Sequence, residues 1–409
     1  MPSDEQPRAQ LLLGDCIDRL QEFEPDSFDA VVCDPPYGLS KEPDIVEVMT
    51  HWIKGDDYVH RGGGFMGKNW DSFVPGPSVW KAVYRVLKPG GHLLSFAGTR
   101  TFDLMGISLR LGGFEIRDTI HWAYGSGFPK SLDVSKAIDK AAGAKRPVIG
   151  KNPLAKQQTG QQRTVALAGD RNPHTHLTGP ATPEAEQWEG WGTALKPAHE
   201  PILLCRKPLS EKTVAKNVLK HSTGGINIDG TRIGYIDAAD AEHAAVPQPL
   251  FGVKAHGKGT YNYRAGEGRN GVVHDVSKGR WPANFILSHS AYCKKNKCHL
   301  SCPVLELDQQ TANIDGASRF FYTTKASRSE RNAGVEKGNN HATVKPIKLM
   351  RYLVRLVTPP NGTVLDSHAG SGTTGVACVA EGFNFVGIEK EKDHFVIARQ
   401  RIQHAFTEE

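Results

Sequence analysis

Short apolar runs and amphipathic stretches alternate along residues 11–122. Residues 11–13 predict a short strand, 17–23 a helix, and 28–33 (Phe-Asp-Ala-Val-Val-Cys) a buried strand. Residues 77–87 predict a helix with Val79, Val83, Val86 and Leu87 on one face, stopped by Lys88-Pro89-Gly90-Gly91. A strand over 92–97, a helix over 101–111 and a strand over 114–122 follow. This alternation predicts an α/β fold with a mostly parallel central sheet. Over 123–200 the rhythm dissolves into Gly, Pro, Gln and Thr, including Gln157-Gln158-Thr159-Gly160-Gln161-Gln162, which predicts a loop-rich insertion. Residues 201–205 predict one more strand, and the stretch to 340 has scattered short elements without a clear period. Order returns at Pro346, a helix start whose Leu349, Leu353 and Leu356 form an apolar stripe. No internal repeat is present.

The run over 28–33 ends at Asp34-Pro35-Pro36-Tyr37. In open α/β sheets ligands sit beyond the carboxyl ends of the strands. Asp34 can accept one hydrogen of an exocyclic amine, and the Pro35 carbonyl can accept the other. Two prolines stiffen the turn, and Tyr37 offers a flat face for a base. The plainer reading is a turn after a strand, since Asp and Pro are turn formers.

A second motif, Thr363-Val364-Leu365-Asp366-Ser367-His368-Ala369-Gly370-Ser371-Gly372-Thr373-Thr374-Gly375, reads as a strand ending in an acid, a glycine turn, and a helix through 376–380. Such a turn lets a ligand approach the backbone at a helix start. No Gly-Lys-Ser/Thr follows, which argues against a P-loop NTPase and leaves a dinucleotide fold as the nearer competitor. Residues 383–388 predict a strand ending at Glu389, where an acid can bind ribose hydroxyls.

Together the two motifs resemble those of the amino-methylating DNA methyltransferases. In that family Asp-Pro-Pro-Tyr is the catalytic loop and Asp-Pro-Phe-x-Gly-Ser-Gly-Thr the S-adenosylmethionine loop. Their order here is that of the β group, and the likeness is nearest to phage- or prophage-type enzymes. Gly14-Asp15-Cys16, Gly67-Lys68-Asn69-Trp70-Asp71, residues 188–206, Arg319-Phe320-Phe321-Tyr322 and His341-Ala342-Thr343-Val344-Lys345-Pro346 fit the same family. The resemblance implies a Rossmann-like S-adenosylmethionine-dependent methyltransferase fold with a large inserted target-recognition region. Its parts would be a catalytic half over 1–122, the insertion over 123–200, a basic recognition region over 201–340 and a cofactor-binding half over 341–409.

Residue by residue, the resemblance implies that Asp34, Pro35, Pro36 and Tyr37 hold the target base. Asp366, His368, Ala369, Gly370, Ser371, Gly372 and Thr373 would line the methionine part of the cofactor. Glu389 would meet its ribose, and Asp15 and Cys16 its adenine. Thr343 and Lys345 would belong to the segment closing over the methionine end. Two departures stand out: Ser367-His368 replaces Pro-Phe, and His341-Ala342-Thr343 replaces His-Pro-Thr. The first puts a side-chain contact in question, though not the backbone turn.

The implied reaction is direct transfer to the amine of a flipped base in double-stranded DNA. Asp at position 34 inclines the resemblance toward adenine N6, with cytosine N4 as the alternative. Ring-carbon methylation needs a Pro-Cys nucleophile, and Cys302-Pro303 has the order reversed. A non-catalytic DNA-binding protein with a degenerate methyltransferase fold is the rival from another class. Methylation of RNA or of a protein glutamine is a further one. A homodimer and a partner nuclease are both compatible with the family.

Charge sharpens the partner. Residues 205–345 hold 21 Lys and Arg against 12 Asp and Glu, a net of +9, whereas the whole chain is +6, so the remainder stands at −3. Lys254-Ala255-His256-Gly257-Lys258-Gly259-Thr260-Tyr261-Asn262-Tyr263-Arg264 interleaves basic, aromatic and glycine residues, as a phosphate-binding patch or a solvated loop would. Tyr261, Tyr263 and Trp281 could wedge or stack, or simply pack. With 409 residues and 39% hydrophobic content the chain can bury a sizeable core. No stretch approaches the ~20 apolar residues of a membrane span, and residues 1–8 are too polar for a signal peptide. Seven cysteines, with Cys33 and Cys378 in predicted core elements, point to a reducing cytoplasm, which the resemblance implies is that of a prokaryote or of a phage-infected host cell. His289, Cys293, Cys298 and Cys302, with His299 adjacent, have a spacing that suits a structural zinc or a set of unrelated core thiols.

Overall fold

Every residue of the run 28–33 is buried, and this strand lies in the middle of the principal sheet. The computed structural model describes residues 8–39, 42–61, 71–124, 131–152, 176–235, 278–289, 293, 297–300, 302–310, 321–323, 325–336, 338–341 and 343–407. The strands are β1 (Ala9–Leu13), β2 (Phe28–Cys33), β3 (Leu87–Phe96), β4 (Glu115–Tyr124), β5 (Val148–Lys151), β6 (His176–Thr178), β7 (His199–Arg206), β8 (Phe285–Ser288), β9 (Phe321–Thr323), β10 (Thr363–Asp366) and β11 (Asn384–Glu389). Nine of them form one sheet in the order β1-β11-β10-β2-β3-β7-β4-β8-β9. All neighbours are parallel except β7, which runs against β3 and β4.

A parallel sheet is covered on both faces, so its strands are apolar throughout and successive side chains serve opposite layers. Ala30 and Val32 pack with helices Ile347–Val357 and Thr373–Val379, whereas Val31 and Cys33 pack with helix Pro77–Val86 and helix Phe102–Leu111. The predicted stripe of Leu349, Leu353 and Leu356 is buried in the first of these layers. Asp29 is the one acid inside β2; it accepts from Lys88 Nζ (2.5 Å) and from the amide of Thr363 (2.8 Å), tying the start of β10 to β3.

Two local expectations differ from the structure. The helix expected to reach Leu87 ends at Val86, and Lys88-Pro89-Gly90-Gly91 lies inside β3 instead of forming a loop. The register slips there, with Phe28 opposite Leu87 but Ala30 opposite His92. Asn217 Nδ2 donates to the Pro89 carbonyl (2.8 Å) and Gly90 N to the Lys207 carbonyl (3.0 Å), so tertiary partners satisfy a segment that would otherwise be a turn. The helix expected over 17–23 covers only Cys16–Leu20, capped by Asp15, whose Oδ1 accepts from Ile17 N at 3.0 Å.

Residues 127–198 form a separate compact unit. Within it β5 and β6 pair antiparallel, and buried Asp139 accepts from Arg146 Nη1 (2.6 Å), Ala181 N (3.0 Å) and Thr182 Oγ1 (2.9 Å). Gln157–Gln162, the basic run 254–264 with Tyr261 and Tyr263, residues 67–70, 319–320 and Ala342 lie outside the described residues. Trp281 is exposed, with the Arg232 guanidinium 5.3 Å from its ring centroid. Among the described residues no helix is long and apolar enough to cross a membrane.

The buried ring of Phe385 in β11 lies against the positions of Gly375 and Gly387. Phe385→Ala is expected to cost about 3–5 kcal/mol of folding free energy. Urea unfolding followed by circular dichroism reads this out, and a loss under ~1 kcal/mol would contradict the core assignment.

Candidate active site

The 329 residues between Cys33 and Thr363, which separate the two motif strands, are bridged by direct pairing: Val364 lies opposite Ala30 and Leu365 opposite Val31. Both motifs therefore emerge at the carboxyl ends of adjacent parallel strands. The charge of Asp34 is felt at Asp366, where it adds to an upward pKa shift.

Asp34 is half-buried and its Oδ2 accepts from Lys345 Nζ at 2.6 Å. Lys345 also lies 3.3 Å from Glu200 Oε2, and Glu200 accepts from the Tyr37 hydroxyl at 2.8 Å. Pro35 is buried and Pro36 half-buried. The Tyr37 amide donates to Asp71 Oδ1 at 2.8 Å, its carbonyl accepts from Thr101 Oγ1, and Lys345 Nζ stands 5.3 Å from its ring centroid. Asp34 Oδ1 is shielded from solvent and has no hydrogen-bond partner. A buried acceptor left open in this way is costly, so it marks a place where a donor is expected.

Two carboxylates share one ammonium here. Burial raises the Asp34 carboxyl above the usual aspartate range, with Lys345 opposing and Glu200 reinforcing the shift. Burial acts upward on Glu200 too, but Lys345 and the Tyr37 hydroxyl bring it below its ordinary value. Burial would neutralise Lys345; the charges of Asp34 and Glu200 outweigh that and keep it protonated.

The glycine turn is held from both sides. Asp366 Oδ1 accepts from His368 N (3.0 Å) and Oδ2 from Thr374 Oγ1 (2.6 Å), while burial pushes its carboxyl up to about 7. Glu389 Oε2 accepts from Gly370 N and Oε1 from Glu391 N, each at 2.7 Å. Arg401 Nη1, from helix Lys392–Ala405, donates to Ser371 O (2.7 Å), Ser371 Oγ (3.1 Å) and Thr373 Oγ1 (2.8 Å). Gly370 and Gly372 adopt φ of +52° and +74°, the left-handed region that glycine reaches without strain. Burial lowers His368 to about 4, so its ring is a neutral aromatic, 6.4 Å from that of Trp80. The departure from Phe thus keeps a flat uncharged ring at that place.

Asp15 Oδ2 lies 3.1 Å from Lys390 Nζ, and Gly14 N donates to Glu389 O at 2.9 Å, which sets Asp15 and Cys16 beside Glu389. Burial drives the Cys16 thiol up to about 12, making it an uncharged lining group. Thr343 N donates to His341 Nδ1 at 3.3 Å, and His341 Nε2 is what a Cβ at Gly370 would meet at 3.0 Å.

The structure therefore collects Asp34, Pro35, Pro36, Tyr37 and Lys345 at one cup, and Asp15, Cys16, Asp366, His368, Ala369, Gly370, Ser371, Gly372, Thr373 and Glu389 around the turn. Lys345, expected with the donor, is placed on the carboxylate of the cup. Glu200, Asp71, Tyr124, His341 and Arg401 were not singled out by the sequence. Asp71, Glu200 and His341 fall within family-like blocks, but nothing in those blocks distinguishes one acid or imidazole from its neighbours. His289, Cys293, Cys298 and Cys302 are brought together elsewhere, their ligand atoms all within 4.8 Å of one another.

Residues 28–400 match the N6_N4_Mtase family of DNA methylases, and the chain belongs to that family. Type II methyltransferase M.HindIII of Haemophilus influenzae is 22% identical across 95% of this chain and 93% of its own length. Type II methyltransferase M.BglI of Bacillus subtilis is 39% identical over 69 residues, 17% of this chain and 20% of that protein. The matched stretches thus span a fifth to a third of some curated relatives and nearly all of another. Among solved structures, the cytosine-N4-specific PvuII DNA methyltransferase aligns over 97% of this chain and 89% of its own, at 13% identity and a TM-score of 0.42. The methyl donor of the family is S-adenosylmethionine. The glycine turn, the neutral His368 ring and the Glu389 carboxylate fit such a group.

The two glycines separate donor binding from folding. At Gly372 a Cβ would come within 2.9 Å of the Ala398 backbone, so Gly372→Ala should lower the melting temperature. At Gly370 the obstacle is a side chain, His341, so Gly370→Ala should stay folded at a left-handed cost of roughly 1–2 kcal/mol of stability, while the displaced turn lowers affinity for S-adenosylmethionine about tenfold or more. Calorimetric titration checks this; unchanged affinity would remove the turn from the donor site.

Proposed function

We propose that this protein is a site-specific DNA methyltransferase that moves a methyl group from S-adenosylmethionine to the exocyclic N6 amine of adenine in duplex DNA. The observation that carries the reading is the solvent-shielded, unpartnered Asp34 Oδ1 in a cup with the Tyr37 ring. One amine N–H satisfies that oxygen and the Pro35 carbonyl takes the other, which leaves the nitrogen lone pair free to attack. S-adenosylmethionine, when bound, supplies a methyl group on a positively charged sulfur. Lys345 holds Asp34 ionised before the reaction, and burial makes the same carboxylate a better base than a free aspartate. The proton shed by the alkylated nitrogen then has an acceptor at Oδ1. Glu200 fixes the Tyr37 hydroxyl and so the plane of the ring.

A base inside a duplex is out of reach and has to be extruded at a cost of a few kcal/mol; stacking on Tyr37, worth ~1–3 kcal/mol, and the two amine hydrogen bonds offset it. The net +9 of residues 205–345 supports phosphate binding by this part of the chain. Aspartate at position 34 favours adenine, while the same acceptors can hold the N4 amine of cytosine. Incubation with labelled donor and duplex DNA, RNA or protein, followed by digestion, is the deciding experiment. N6-methyladenine is expected; N4-methylcytosine would correct the base, and label only in RNA or protein would overturn the substrate class.

Asp34→Ala is expected to abolish transfer while donor affinity stays within about threefold of wild type. Full activity of that variant on DNA would remove the cup from the chemistry. Asp34 acts only as the carboxylate, and its pKa is raised, so the single-turnover rate should fall with acid at a pH above the ordinary aspartate value of ~3.9. Lys345→Met removes the ammonium that favours ionisation, and should move that fall to still higher pH. A profile that stays in place would show that Lys345 does not govern Asp34.

A further inference from the structure

The chain carries a second cluster of chemically distinctive side chains that methyl transfer does not use. His289 follows β8 directly, Cys293 and Cys298 come after it, and Cys302 immediately precedes helix Pro303–Gln310. Three sulfurs and one imidazole nitrogen converge within 4.8 Å of one another. His289 Nδ1 is 3.4 Å from Cys298 Sγ and 3.5 Å from Cys302 Sγ. A tetrahedral zinc with Zn–S of about 2.3 Å and Zn–N of about 2.0–2.1 Å requires S···N edges of about 3.6 Å. The spacing is thus that of a coordination shell.

The surroundings agree with a metal. His299 N donates to Cys293 Sγ at 3.3 Å, an outer contact that steadies a thiolate. Leu287, Cys302 and Val304 are the only buried members of the local apolar cluster among the described residues, with Phe285, Leu305 and Leu307 partly covering it. So small a core is a weak anchor for the segment beyond β8, which a cross-link or a metal would strengthen. None of the cysteines is joined in a disulfide, so no such cross-link is supplied.

We propose that His289, Cys293, Cys298 and Cys302 bind one structural zinc ion, which fastens the end of β8 to helix Pro303–Gln310 at the edge of the sheet. With four protein ligands the shell is closed and leaves no position for a substrate. Binding converts three thiols to thiolates and releases their three protons to solvent, while the imidazole binds neutral; the site then carries a net charge of −1. Acid reprotonates the ligands and releases the metal. The zinc fixes the strand beside β4: Ser288 accepts from Trp122 Nε1 at 2.7 Å and pairs with Tyr124. Trp122, two residues before Tyr124, pairs with Glu200 across β4 and β7, so the staple adjoins the strand pair that carries Glu200 to the cup. That adjacency gives the zinc its use only on the methyltransferase reading, but the metal itself is tested without it.

The full-length protein, purified without chelator and gel-filtered, should hold one zinc per chain by elemental mass spectrometry. Cys298→Ser and Cys302→Ser should each lose most of it, and Cys205→Ala, a buried thiol in β7, should retain it. Should the serine variants fail to fold, exchange of the wild-type protein with Co2+ gives an independent reading. Intense visible d–d bands and a sulfur-to-cobalt charge-transfer band are then expected. Removal of the metal should lower the melting temperature while S-adenosylmethionine affinity stays within about twofold, because β10 and β11 lie on the other side of β2. Absence of zinc together with no tetrahedral cobalt spectrum would overturn the proposal, as would a disulfide among Cys293, Cys298 and Cys302 in the intact mass. Donor affinity lost in step with the metal would overturn its local role.

Discussion

Two strands of this protein, β2 and β10, lie far apart in the chain and yet share a ladder in the interior of the sheet. Because they are parallel, both ladders of side chains and both exit turns face the same end. A rigid proline turn and a flexible glycine turn thereby meet without any dedicated scaffold. Buried Asp29 secures the pairing, since its carboxylate binds the first amide of β10 and the Lys88 ammonium. Loss of this register by one residue would invert every side chain of the strand between its two packed layers.

Around that junction the protein keeps an uneven charge count. Asp34 and Glu200 share Lys345 in a region from which water is largely excluded. Such a triad contributes little to stability on its own, because desolvation offsets much of the attraction. What it supplies is placement: one oxygen of Asp34 is committed to Lys345 and the other stays open. The same logic governs the turn, where the lone pairs of Asp366 and Glu389 are used on backbone amides and a hydroxyl, and Arg401 grips the loop from beneath.

The central strands were legible from the chain because a parallel strand buried on both faces is apolar along most of its length, as 28–33 and 383–388 are apart from Asp29 and Asn384. The two turns were legible because proline and glycine have few other uses at a strand end. The rest of the cup was not. Glu200 is an acid at the start of an apolar strand, and only the antiparallel placement of β7 beside β3 and β4 brings it to Tyr37. Lys345 belongs to a recognisable block, but the block says nothing of which way the side chain reaches. Strands β8 and β9, four and three residues long, are too short to show a period and gain their pairing from the existing sheet edge. Lys88–Gly91 misled for a similar reason: its composition is that of a turn, and Asn217 and Lys207, more than a hundred residues on, hold it in the strand.

The strand order also bears on how the polypeptide emerges from the ribosome. Between β1 and β2 lie β11 and β10, which are synthesised last. Until they arrive, the two earliest strands have no common neighbour, and the open side of β2 presents unpaired amides and carbonyls. Closure therefore awaits β10 and β11, with long loops to be gathered in one late step. A nascent chain of this design is exposed to aggregation until then, and the two motif turns meet only when β10 and β11 insert.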